Sequence, residues 1–166
     1  MEKKEIVYAF IDTNNLHIQT SKVAGWLVDY CKLRKWLMWK FNVRVAYMFI
    51  GKKEGSEYES LYSYLESCGF ELVFKPTLIG KDGKVKGNID ADLVLKAMIE
   101  FPNYDKAIII TNDGDFYSLV QYLKEEGKLK YVISPNGKGL SFLLRKAAGT
   151  QILLLEQARD LLEYIK

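Results

Sequence analysis

Short apolar runs rich in β-forming residues alternate with segments of helical spacing along most of this chain. That alternation limits the folds open to it more than any other feature. EIVYAFID (5–12), VRVAYMFIG (43–51), ELVFKP (71–76), KAIIIT (106–111) and KYVIS (130–134) read as strands, several of them nearly continuous in apolar residues, as strands buried on both faces are. Between them lie helical patterns. DYCKLRKWLMWKF (29–41) places apolar residues at 30, 33, 37 and 41 behind Asp29 as N-cap, and SEYESLYSYLESCG (56–69) opens at Ser56 with Glu59 at capping-box spacing and closes at Gly69. IDADLVLKAMIEF (89–101) turns Leu93, Ala97 and Met98 inward, and FYSLVQYLKEEG (116–127) and GLSFLLRKAAG (139–149) follow. The last stretch, QILLLEQARDLLEYIK, reads as a short strand and a final helix. Strands alternating with helices predict a three-layer α/β/α domain, one unit over residues 1–166, with a central, mostly parallel sheet of five or six strands. The segment LIGKDGKVKGN (78–88) breaks the rhythm; its Asp82-Gly83 pair predicts a small hairpin or a loop.

Composition bears on the argument in three places. Hydrophobic residues make up 49% of 166, enough for a real core, and a net charge of +3 neither demands nor repels a nucleic-acid partner. Cys31 and Cys68, the two cysteines, sit in helix-like stretches, form no CxxC or Cys/His cluster and make no disulfide framework. No apolar run approaches the roughly 20 residues of a membrane span, and the first one is too short for a signal peptide. The expectation is a cytoplasmic protein.

The chemistry is carried by acids. TNDGDF (111–116) sets Asp113 and Asp115 two residues apart where the fourth strand stops, and Asp12 ends the first strand. A solvated turn accounts for the pair taken alone. In open α/β sheets, however, ligands bind beyond the carboxyl ends of the strands where strand order reverses. With the order 3-2-1-4-5, the first and fourth strands are neighbours at that point. Right-handed crossovers bring the start of the helix near Asp90 to the same edge. Asp12, Asp90, Asp113 and Asp115 then converge, and such a cluster raises its own pKa values unless a cation compensates. Oxygen-only donors favour Mg²⁺ or Mn²⁺ over Zn²⁺. Asp92, two residues after Asp90 on a helix, points elsewhere. An EF-hand is excluded because Lys124 stands where its bidentate Glu belongs.

The segments FIDTNNL, KGNIDADLVLKA and TNDGDF resemble, in order, the three signature segments of NYN domains, which are PIN-like ribonuclease domains that include the bacterial LabA-like group. The resemblance spans roughly residues 5 to 148. It implies a PIN-like fold, metal-dependent RNA cleavage with Mg²⁺ or Mn²⁺, and Asp12, Asp90, Asp113 and Asp115 as the acidic site. It also implies Asn15 as the polar residue beside the first Asp, Thr111 as the hydroxyl before the acidic pair, and Lys86 as the Lys of Lys-Gly. Asn112 departs from the pattern, since relatives often have Gly there.

Other positions follow from the residues alone. Lys75, Lys81, Lys84 and Lys86 surround Asp82 in the loop leading to Asp90, a basic stretch suited to an RNA backbone and equally to ordinary solubility. PNGKGLSF (135–142) does not fit a P-loop; it reads as a strand-to-helix turn in which Lys138 can touch a phosphate. Asn14 is the expected cap of the helix after the first strand. His17, the one histidine, lacks partners for a zinc site or a triad. Trp36 and Trp39 are expected as exposed aromatics able to pair two copies. The resulting expectation is a divalent-metal-dependent ribonuclease hydrolysing RNA phosphodiester bonds, an endonuclease with no organic cofactor. The alternatives are a non-cleaving RNA-binding or regulatory module on the same fold, and a receiver-like phosphotransfer domain.

Overall fold

The computed structural model describes residues 3–83, 85–86 and 88–166. Its six-stranded sheet has the order β3-β2-β1-β6-β7-β8, where β1 is Val7–Asp12, β2 Val43–Lys52, β3 Glu71–Pro76, β6 Lys106–Ile110, β7 Leu129–Ser134 and β8 Ile152–Leu154. Every pairing in it is parallel, with Ile11 opposite Met48 on one side and Ile110 on the other. This is the expected order with a sixth strand added at the edge. Within the irregular stretch after β3, β4 (Leu78–Ile79) and β5 (Val85–Lys86) form a separate antiparallel pair.

The sheet is buried on both faces because its strands are apolar on both. Along β1, Val7, Ala9 and Ile11 enter one core, while Phe10 enters the other. The first core receives Leu16 of α1 (Thr13–His17), Leu33 and Leu37 of α2 (Tyr30–Phe41), Leu65 of α3 (Ser56–Ser67) and Leu162 of α7 (Arg159–Leu162). The second receives Leu93 and Ala97 of α4 (Asp90–Ile99), Leu119 and Leu123 of α5 (Tyr117–Glu125), and Leu144 and Ala148 of α6 (Phe142–Ala148). The chain winds outward from β1 to β3 with helices on one face. It then returns to β6 through α4 on the opposite face, as right-handed crossovers in both directions require. The reversal falls between β1 and β6.

Several local expectations are corrected. The N-cap of α3 is Gly55, at φ 130°, with no side-chain cap bond, so Ser56 and Glu59 form no capping box. Asp12, not Asn14, caps α1. A π-helical stretch, Ile18–Ala24, continues α1 and ends at Gly25 in the left-handed region. Trp36 is buried, packed edge-on against Phe41, whereas Trp39 is 79% exposed. Met98 is partly exposed, although Leu93 and Ala97 are buried as expected. Cys31 and Cys68 form a disulfide between the start of α2 and the end of α3, with Cα atoms 4.7 Å apart. No helix is long and apolar enough to cross a membrane among the described residues.

Candidate metal centre

Among the described residues, the buried polar side chains are Asp12, Thr20, Thr111, Asn112, Ser134 and Asn136. Thr20 is explained locally, its hydroxyl donating to the Leu16 carbonyl at 2.8 Å. The other five lie at the carboxyl ends of β1, β6 and β7, which is the sheet edge where the order reverses. Burying polar groups costs stability unless they are bonded, and here they bond to one another.

Asp12 is 5% exposed. Its Oδ2 accepts from the Thr111 hydroxyl at 2.9 Å, and its Oδ1 from the Asn15 amide at 3.4 Å. The same Thr111 oxygen accepts from the Asp113 amide at 3.0 Å, so one hydroxyl ties the end of β1 to the turn after β6. Asn15 Oδ1 accepts from the Asn112 amide at 2.9 Å and makes the same connection a second time. Asn112 reaches toward β7: its Nδ2 donates to the Asn136 carbonyl at 2.8 Å, and its Oδ1 accepts from the Ser134 hydroxyl at 2.5 Å. This use of both ends of its amide gives the departure at position 112 a physical reason, since glycine could make neither bond. Asp113 Oδ1 accepts from the Asp115 amide at 2.9 Å and caps a turn of 3₁₀ helix, Gly114–Phe116.

The third segment arrives through α4. Asn88 Oδ1 accepts from the Asp90 amide at 2.9 Å, holding the first turn. Lys75, at the end of β3, donates to the Asn88 carbonyl at 2.7 Å and pairs with Asp92 at 3.5 Å. One carboxylate oxygen each from Asp12, Asp90 and Asp113 lie within 4.8 Å of one another. Asp115 is exposed and stands outside this group, although its charge still acts on Asp90. Asp92 points away from the cluster toward Lys75, as its helical position implies.

Burial pushes the Asp12 carboxyl up from 3.8 to about 6, with the charges of Asp90 and Asp113 adding to the rise and the bonds from Thr111 and Asn15 opposing it. The Asp90 carboxyl is also raised, first by burial and then by Asp113. Acids held this close and partly desolvated have an electrostatic deficit, which a hard divalent cation relieves. The donor set is all oxygen and fits such a cation.

Lys138 is exposed, its amide bonded to the Asn136 side chain at 3.2 Å in the turn after β7. Lys84 and the side chain of Lys86 lie outside the described residues. Sequence reasoning missed the Ser134–Asn112–Asn136 connections and the tether from Lys75 to α4. A polar residue at the end of each of three neighbouring strands was the available signal.

A solved structure of a protein of unknown function from Vibrio parahaemolyticus resembles this one with a TM-score of 0.83 over 99% of this chain and 100% of that one, at 22% sequence identity. The Low amplitude and bright protein LabA of Synechococcus elongatus is 23% identical over 136 residues, covering 77% of this chain and 73% of that protein. The NYN domain family model matches residues 7–155, which takes in all three acidic segments and the whole strand order around them; the chain belongs to the NYN domain family.

Proposed function

We propose that this chain is a divalent-metal-dependent ribonuclease that hydrolyses RNA phosphodiester bonds internally, with Mg²⁺ or Mn²⁺ held by Asp12, Asp90 and Asp113. One observation carries the reading: carboxylates from three separate segments meet within 4.8 Å at the reversal of strand order. A bound cation there supplies Lewis-acid activation of water and stabilises charge at phosphorus. The chain's own groups do the rest. The Thr111 hydroxyl and the Asn15 amide fix the orientation of Asp12. Asp115, exposed beside the cluster, is proposed as the outer carboxylate facing solvent and substrate. Lys84, Lys86 and Lys138 are proposed to bind the RNA backbone, with Asn15 and Thr111 lying beneath the scissile position. Membership of the LabA-like group within the family, and a cytoplasmic location, belong to the same proposal.

The test is cleavage of an end-labelled mixed RNA pool in Mn²⁺, in Mg²⁺ and in chelator, with the Asp113→Asn variant alongside. Cleavage that needs both the cation and Asp113 is expected. Cleavage that survives chelator or Asp113→Asn would remove the assignment. Chelator-insensitive RNA binding with no cleavage in any metal would make the protein an RNA-binding module on the same fold.

A further inference from the structure

Beside the acid cluster lies a cleft of about 340 Å³ between α5 and α6, lined by Tyr117, Gln121, Leu143, Lys146 and Ala147. Its wall abuts the loop that carries Asp113. A Cβ placed on Gly114 would meet the Ser141 side chain and come within 3.7 Å of Leu143 Cβ, so the loop packs directly on the cleft wall. Tyr117 follows Asp115 by two residues and is 42% exposed, and Phe142, next to Leu143, is 74% exposed. Exposed aromatics are ordinary when scattered singly. Tyr117, however, lines a cleft beside the loop of a candidate phosphodiester site.

Charge points the same way. Lys138, Arg145 and Lys146 are exposed on the segment that forms this side of the cleft, and none of them has an ion pair among the described residues. The Lys146 ammonium and the Tyr117 ring that line the cleft match a phosphate and a base plane, and Gln121, whose Nε2 donates to Glu125 Oε1 at 3.2 Å, keeps its carbonyl oxygen for a base edge. The volume is at the low end of the range of about 300–1,000 Å³ for small-molecule clefts, which suits a single base.

Resting on the ribonuclease reading, we propose that this cleft is a subsite for one unpaired base of a single-stranded RNA, stacked on Tyr117, with Lys146 on the adjoining phosphate. A base in a duplex keeps its faces covered, so the subsite selects single strands or loops.

The experiment measures binding of a short labelled single-stranded RNA by fluorescence anisotropy in Mg²⁺. The protein carries Asp113→Asn, so that the probe is not consumed. Added Tyr117→Ala is expected to weaken binding about 10-fold, the scale of one base–aromatic stack, while Tyr117→Phe retains it. An abasic nucleotide scanned through the probe should reproduce the loss at one position, with no further loss from Tyr117→Ala there. Lys146→Ala should lower the salt dependence by about 0.7 in log–log slope, the effect of one phosphate contact on a single strand. Cleavage is assayed separately in the protein with Asp113 intact. Cleavage with binding indifferent to Tyr117 and to every abasic position would overturn the subsite and leave the ribonuclease reading. The Tyr117 effect without cleavage in any metal would keep the subsite and remove the ribonuclease reading. Absence of RNA binding would overturn the subsite. So would a dimer that Phe142→Glu dissociates while RNA affinity stays unchanged, since the face would then be a contact between copies of this chain.

Discussion

Replacing Asp12 by Asn should stabilise the metal-free protein at neutral pH while removing its ability to bind metal. The carboxyl loses its proton near pH 3.8 in the unfolded chain but holds it to about pH 6 in the folded one. Between these values the native state binds more protons, so stability falls as pH rises through the window, and above about pH 6 the whole cost is present. A rise from 3.8 to about 6 corresponds to about 3 kcal/mol at 1.36 kcal/mol per pH unit. Asparagine is nearly isosteric and carries no charge. Its carbonyl can keep the bond from Thr111, but its amide end leaves the Asn15 N–H unaccepted, at a cost of about 1 kcal/mol or less for so long a bond. The net gain is about 2 kcal/mol at pH 8, or roughly 4–8 °C in Tm for a domain of this size. At pH 4 the gain falls well below about 1 kcal/mol, because the wild-type carboxyl is then protonated in the native state. Thermal melts in chelator at pH 4 and pH 8 measure both limits. Mn²⁺ at about a hundred times its dissociation constant should then raise wild-type stability by about 2.7 kcal/mol and leave the variant where it was. A variant no more stable than wild type at pH 8 in chelator, or one whose advantage does not depend on pH, would refute the account of Asp12 as a desolvated acid awaiting a cation.

Other expectations follow from the same geometry. Asp90→Asn and Asp113→Asn should abolish calorimetric Mn²⁺ binding, whereas Asp115→Asn, outside the cluster, should weaken it by less than about 10-fold, the lower end of effects from groups beyond the ligands. Thr111→Val removes the hydroxyl that orients Asp12 and should cost about 10- to 100-fold in Mn²⁺ affinity by the same titration. Metal affinity should fall as pH drops below about 6, where Asp12 holds a proton that the cation must displace; an affinity flat from pH 5 to 8 would contradict this. Gly139→Ala drives a Cβ into Gln19 Oε1 and within 3.0 Å of Asn112 Nδ2. It should cost about 1–3 kcal/mol in denaturant melts, much of it recovered in the Gly139→Ala, Gln19→Ala double variant.

The sheet was legible because its strands are apolar on both faces, and the common 3-2-1-4-5 order, taken for it from the sequence and found in the structure, makes β1 and β6 neighbours. That adjacency brought Asp12 to Asp113, and the crossover into β6 brought Asp90. The same reasoning placed Asp92 away from the cluster, because two residues along a helix turn a side chain to another face. It failed where position in sequence does not determine direction in space. Asp113 and Asp115 are two residues apart, but the 3₁₀ turn that Asp113 caps leaves Asp115 outside the group. Trp36 and Trp39 share a helix and differ in burial because only Trp36 meets Phe41. The Asn112 amide was legible as a departure from a family pattern but not as a bridge, since its partners come from β7.

The bridge between Cys31 and Cys68 makes the history of the chain matter to its durability. It closes a separation of 37 residues, and in the chain-entropy description a loop of that size is worth about 4 kcal/mol, taken entirely from the freedom of the unfolded state. A molecule made where thiols stay reduced forgoes that contribution and stands on its two apolar cores alone. A molecule exposed to oxidant gains it without any change at the acid cluster, since neither cysteine touches Asp12, Asp90 or Asp113. Two preparations of equal purity could then match in metal binding and differ in lifetime at elevated temperature, and the thiol count would tell them apart.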